Sequence, residues 1–176
     1  MHSDHTSGVP DMRAMSLINK KSIPAYMPIE MISKMESMYQ YIFKGEKDYL
    51  PFMEIKELKK ITEINDITIE TFKHNHGSID AQTYKIGKFA YSTDLKKFYN
   101  SDLDKLRNLD LWVVGLLRDD DHPSHAGFQE IMEYIEYIKP KKTIFTHMTA
   151  LLDEETLKSK CPINVYPGFD GMEIDI

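Results

Sequence analysis

Seven histidines punctuate this 176-residue chain: His2, His5, His74, His76, His122, His125 and His147. The segment His2-Ser3-Asp4-His5 packs two imidazoles and a carboxylate into four residues. Imidazole nitrogen together with carboxylate oxygen suits zinc, manganese or iron, and the single cysteine, Cys161, excludes a thiolate-built structural zinc site. A polar terminus would also read this way. The nearby Gly8, however, supplies the kind of tight turn that aims adjacent side chains at one point. His74 and His76 fall in a polar stretch after a strand-like segment, His122 and His125 in a loop after an apolar run, and His147 at the end of another. Strand ends and loops are where a scaffold presents ligands.

The elements that must position these groups follow from periodicity. Ile29, Ile32, Met35, Met38, Tyr39 and Ile42 recur at helical spacing, predicting a helix over Pro28–Phe43 with Pro28 in its first turn. Ile67–His74 alternates and is rich in β-branched residues, predicting a strand. Thr83–Lys88 and Phe89–Thr93 read as two strands meeting at Gly87-Lys88. Leu111–Leu117 is a short apolar run, predicting a strand buried on both faces. Phe128, Ile131, Met132, Ile135 and Ile138 define a second helix stopped by Pro140, and Thr143–Thr146 a buried strand ending at His147. Acids at Asp153-Glu154-Glu155 open a short helix, and the alternation of Met172–Ile176 predicts a last strand. Strands and helices alternate without a regular βαβ repeat, so mixed layers are expected rather than a doubly wound sheet.

Taken in order, several blocks resemble the metallo-β-lactamase superfamily of metal-dependent hydrolases, in particular its phosphoribosyl cyclic phosphate phosphodiesterase branch. The blocks are His2–Arg13, His76-Gly77, Tyr84–Gly87, Phe89–Asp94, Arg118 with His122-Pro123-Ser124-His125, Thr146-His147-Met148, Leu152-Asp153 and Asp170-Gly171-Met172. The resemblance implies an α/β fold, the αββα sandwich of mixed sheets flanked by helices, with residues 1–176 a single domain. It implies two divalent metal ions, zinc or manganese, bridged by a hydroxide whose pKa falls towards ~7. His2 and His76 would bind the first metal and Asp4, His5 and His147 the second, with Asp94 bridging. His125 would act as general acid to the leaving alkoxide, an imidazole being matched to working pH, and Asp4 shares the catalytic set. His122 would face substrate or support the site, and Asp170 would orient a ligand histidine. Plainer roles stand beside these. His76 could be a surface-loop histidine, Asp94 a helix N-cap before Leu95-Lys96-Lys97-Phe98, His147 a satisfied strand-end histidine and His125 a residue flanking a helix. His74 is expected to be exposed.

Two departures matter. The family's first motif histidine would fall immediately before Met1, so the chain reads as the C-terminal portion of a longer hydrolase, lacking part of the N-terminal sheet. Pro10 replaces an acid of the turn that leads to Arg13. The substrate implied is a small, cyclic phosphate ester. A hydrolase of another ester or thioester class, and an inactive or partner-dependent fragment, remain open, as do a homodimer and an N-terminal partner fragment.

Composition narrows the classes. Twenty-two basic against 28 acidic residues give a net charge of -6, which argues against nucleic acid held on a broad basic face. No apolar run approaches the roughly 20 residues of a membrane span, and the terminus MHSDHTSGVPD lacks the features of a signal peptide. With one cysteine, a cytoplasmic location is expected.

Overall fold

The computed structural model describes residues 2–175. The chain divides into two compact units, Met1–Lys59 and Lys60–Ile176.

The first unit opens with a single helical turn, α1 (Ser3–Thr6), capped by extended His2, whose carbonyl accepts the Thr6 hydroxyl at 3.1 Å. Helix α2 (Met12–Asn19) ends where Lys20 turns left-handed at φ 52°. Strand β1 (Ile23–Met27) pairs in parallel with β2 (Met53–Glu57), Ile23 against Met53 and Met27 against Glu57. A parallel pair needs a crossover, and helices fill it. The crossover is not the one continuous helix that the periodicity predicts. It is α3 (Ile29–Met38) and α4 (Gln40–Phe43), broken at Tyr39, whose φ of -126° and ψ of 44° are not helical. The Tyr39 hydroxyl donates to the Thr6 carbonyl at 3.0 Å, a bond to a residue 33 positions away that helical periodicity cannot register. Pro28 stands just before α3 as its extended cap. Ile42, Phe52 and Met53 form this unit's buried cluster.

The second unit is built on one mixed sheet. Strands β3 (Ile61–Ile64), β4 (Ile67–His76), β5 (Ile79–Ile86) and β6 (Phe89–Ser92) run antiparallel in sequence order. Asn65 and Asp66, both at positive φ, make the two-residue hairpin between β3 and β4. The short β7 (Lys97–Phe98) pairs with β4 at Asn75 and His74. Helix α5 (Asn100–Leu103) and a 3-10 turn at Asp104–Leu106 lead to β8 (Leu111–Gly115), which lies parallel to β6. Helix α6 (Phe128–Ile138) follows, then β9 (Lys142–Thr146), α7 (Glu154–Lys160) and β10 (Val165–Pro167), with β8, β9 and β10 parallel. The full order is β10-β9-β8-β6-β5-β4-β3. Trp112 and Val114 of β8, Phe145 of β9 and Ile131 and Ile138 of α6 share one buried core.

The expected strand at Met172–Ile176 does not form over residues 172–175, and Ile176 lies outside the described residues. Alternation alone does not make a strand: residues 172–175 pair with no strand, although β10 stands at the end of the sheet's order. The strand expected to end at His74 continues to His76, because Phe72, His74 and His76 all point to the buried side.

Candidate functional site

The site of the second unit is assembled from four chain segments. His76 closes β4, Asp94 lies in the loop after β6, His125 lies in the loop before α6, and His147 follows β9 directly. Asp94 is buried, 8% exposed, and His76 is 5% exposed. The three histidines each aim Nε2 at the one carboxylate. His125 Nε2 lies 3.4 Å and His147 Nε2 3.6 Å from Asp94 Oδ1, while His76 Nε2 lies 3.7 Å from Oδ2. Ligand atoms of Asp94, His125 and His147 all fall within 4.8 Å of one another.

Backbone strain accompanies this convergence. Asp94 has φ 54° and His147 φ 58°, left-handed values that non-glycine residues seldom adopt. Such strain persists where the surroundings over-determine it, which is common at functional sites. For Asp94 the surroundings are visible. The neighbouring Thr93 carbonyl is held by His74 Nε2 at 3.0 Å, and His74 Nδ1 lies 2.9 Å from Thr83 Oγ1. Thr83 Oγ1 in turn lies 3.0 Å from Ser92 Oγ, which accepts the Trp112 indole N–H at 3.1 Å. His74 is therefore the opposite of the exposed residue expected from sequence. It is fully buried, its pKa is lowered to about 4 by desolvation, and it anchors the loop that carries Asp94.

The chemistry of the donors explains what the cluster needs. His76 Nδ1 lies 2.8 Å from the Ser124 carbonyl, which can only accept, so that nitrogen carries a proton. In the neutral ring, Nε2 then presents a bare lone pair to the Asp94 carboxylate. Two lone pairs facing each other at this range call for a cation between them, either a proton or a metal ion. A second histidine side chain repeats the theme: His125 Nε2 is buried without a hydrogen bond. Nitrogen and oxygen donors of this kind, with one ring nitrogen pinned by a carbonyl, fit a divalent transition metal or zinc.

The loop carrying His125 is itself fastened. Lys96 bonds both Glu130 oxygens at 3.0 and 3.1 Å and also Asp121. Burial alone would lower the Lys96 ammonium pKa, but these two acids outweigh it and raise it. His122 lies beside His125, ring centroids 5.6 Å apart, and partial burial with the nearby Arg118 charge lowers its pKa.

The remaining expected site residues are placed as follows. In the first unit, His2 caps α1, and Asp4 and His5 lie within it, His5 Nε2 3.4 Å from Asp4 Oδ2. In the second unit, exposed Asp170 lines a cavity of about 420 Å³ together with His147, Met148, Phe169 and Met172. Sequence reasoning missed two contributors, His74 and Ser124. The signal for the first was the alternation of Phe72, His74 and His76. The signal for the second was its place between two histidines of one tight loop.

The model of the beta-lactamase superfamily domain matches residues 1–148. A curated relative, the octanoyltransferase of Porphyromonas gingivalis, is 26% identical over 178 residues, covering 98% of this chain and 36% of that protein. The chain thus spans about a third of that relative's length. Among solved structures, a diphosphatase of the PhnP family superposes with a TM-score of 0.89 at 23% identity, covering 99% of this chain and 68% of that one. The metallo-β-lactamase fold protein YhfI from Bacillus subtilis gives 0.75 at 14% identity, with 97% and 73% covered. The short form of human tRNase Z gives 0.66 at 16% identity, with 100% and 76% covered.

Proposed function

We propose that this chain, which belongs to the metallo-β-lactamase superfamily and has its mixed α/β fold, is a metal-dependent hydrolase of phosphodiester type acting on a small, cyclic phosphate ester. The observation that carries the reading is the convergence of three imidazole Nε2 atoms on the buried, strained Asp94 carboxylate. His76, Asp94 and His147 are proposed as metal ligands in the second unit. His2, Asp4 and His5 are proposed, from the family resemblance, as further ligands, with Asp4 also in the catalytic set. Bound divalent ions, zinc or manganese, would supply an activated water at neutral pH and offset the charge growing on the phosphoryl oxygens.

The chain's own residues do the rest. Asp94 holds the negative charge that keeps cations in place, and its loop is fixed by the bond from His74 to Thr93. His125 presents Nε2 to the site and, as the imidazolium, is the group that holds a proton there and hands it to the leaving alkoxide as the P–O bond breaks. His122 and Asp170 border the site as groups for substrate contact or support. The cavity beside His147, lined by Val113, Ile144, Met148 and Phe169 as well as Asp170, offers an apolar wall to the substrate's organic part. The diphosphatase name of one structural neighbour supports phosphorus chemistry. The octanoyltransferase name of the curated relative favours a second reading, hydrolysis at an acyl ester or thioester.

The test is hydrolysis of bis(p-nitrophenyl) phosphate, alongside p-nitrophenyl octanoate, with and without added zinc or manganese. Metal-dependent release from the phosphodiester is expected. It should fall at least about 100-fold in Asp94→Ala and His147→Ala, because even outer partners of metal ligands are worth about 10–100-fold. Full activity in either variant overturns the reading, and turnover of the octanoate alone moves it to the acyl class.

A further inference from the structure

Ser124 touches three histidines at once. Its carbonyl accepts from His76 Nδ1 at 2.8 Å, its hydroxyl lies 3.0 Å from His125 Nδ1 and 3.1 Å from His122 Nδ1, and its backbone N–H donates to His122 Nδ1 at 3.3 Å. The bond directions follow from the donor inventory. His122 Nδ1 accepts the Ser124 backbone N–H, so it is the bare nitrogen of that ring. The one hydroxyl proton of Ser124 is then free to point to the same acceptor. With the proton pointed there, the Ser124 oxygen lone pair accepts from His125 Nδ1. That assignment leaves His125 Nε2, the atom 3.4 Å from Asp94 Oδ1, as the nitrogen without a proton in the neutral ring.

The backbone holds the arrangement close. A Cβ on Gly77, whose φ is +70°, would stand 2.9 Å from Ser124 Cβ and 3.2 Å from Ser124 Cα. The turn after β4 and the loop before α6 therefore meet backbone to backbone at Ser124, next to His76 and His125, whose ring centroids are 4.8 Å apart.

We infer that Ser124 is the positioning residue of this site: it fixes the tautomers of His76 and His125 so that both turn an unprotonated Nε2 toward Asp94. The carbonyl serves His76 and the hydroxyl, oriented by His122, serves His125. The two roles are separable, since Ser124→Ala removes only the second. This deepens the proposed function and rests on it for the roles of the two histidines, but the tautomers themselves are measurable without any substrate.

The experiment is imidazole nitrogen NMR on the full chain, loaded with zinc so that a cation faces the Asp94 carboxylate, and held near pH 8.5, above the ordinary histidine range of about 6.5. In the unaltered chain His76 and His125 are both expected as Nδ1–H tautomers. In Ser124→Ala, His125 shifts to majority Nε2–H while His76 stays Nδ1–H, which also reports that the loop remains folded. In His122→Ala the Ser124 hydroxyl proton loses its acceptor and turns to His125 Nδ1, giving the same shift with Ser124 intact. A His125 already Nε2–H in the unaltered chain, or one unmoved in both variants, overturns the inference. If the tautomers behave as stated while the zinc-loaded chain hydrolyses no phosphodiester, the positioning role stands and the hydrolase reading falls.

Discussion

At the scale of single residues, His74 shows how a side chain outside the reacting cluster sets its geometry. Its imidazole links β4 to the loop after β6 through Thr93, next to Asp94 with its left-handed φ of 54°. Burial favours the neutral ring, with a pKa near 4 against 6.5 in the unfolded chain. Below pH 6.5 the unfolded chain gains a proton that the folded one refuses. Stability from this group is therefore full above 6.5, is lost as pH falls from 6.5 to about 4, and is level below that. The loss is on the order of 3 kcal/mol. Urea titrations of the chelator-treated protein across this window measure it, and an NMR signal of His74 that titrates near 6.5 in the folded chain contradicts it. The sequence held part of this. His76, Asp94, His125 and His147 were recognisable by type and by their place after strands, whereas His74 was misread because a polar residue in an alternating strand looks solvated until its partners, Thr83 and Thr93, are known.

At the scale of elements, the site depends on where strands stop. His147 follows β9 and His76 ends β4, while the loops after β6 and before α6 bring in Asp94 and His125. Long, strongly patterned segments were legible. Helix α6 and strands β6, β8 and β9 appear close to where periodicity places them. The shortest strands were not, because β7 has two residues and β10 three, too few for a period to register. The break at Tyr39 was invisible for another reason: it serves a bond to Thr6 across the first unit. The turn after β4 gives a direct test. Gly77→Ala puts a methyl against Ser124 and forces a left-handed φ on a residue with a Cβ. It should cost about 1–3 kcal/mol of stability and lower metal affinity, since it displaces the loop that pins His76. Calorimetric unfolding and zinc titration check both; unchanged values in each would remove Gly77 from the account.

At the scale of the whole molecule, the family match over residues 1–148 runs through both compact units. The fold class read from motif order holds. The same resemblance names candidate ligands in each unit, His2, Asp4 and His5 in the first and His76, Asp94 and His147 in the second. That makes a prediction about stoichiometry. If the first unit's motif supplies ligands, His5→Ala should bind one metal where the unaltered chain binds two, with a matching drop in the thermal shift that metal produces. An unchanged count would confine the centre to the second unit. Candidate residues could be named from motif order because metal chemistry tolerates few side-chain types, while the network behind them had to be seen in place.

The most direct measurement is the metal content of the chain purified without chelator, by mass spectrometry, beside Asp94→Ala prepared in the same way. The account predicts divalent metal, zinc or manganese, at about two ions per chain by the dinuclear arithmetic of the family chemistry, and a substantial loss in the variant. No metal in the unaltered chain, with none taken up on titration with zinc or manganese, would contradict it.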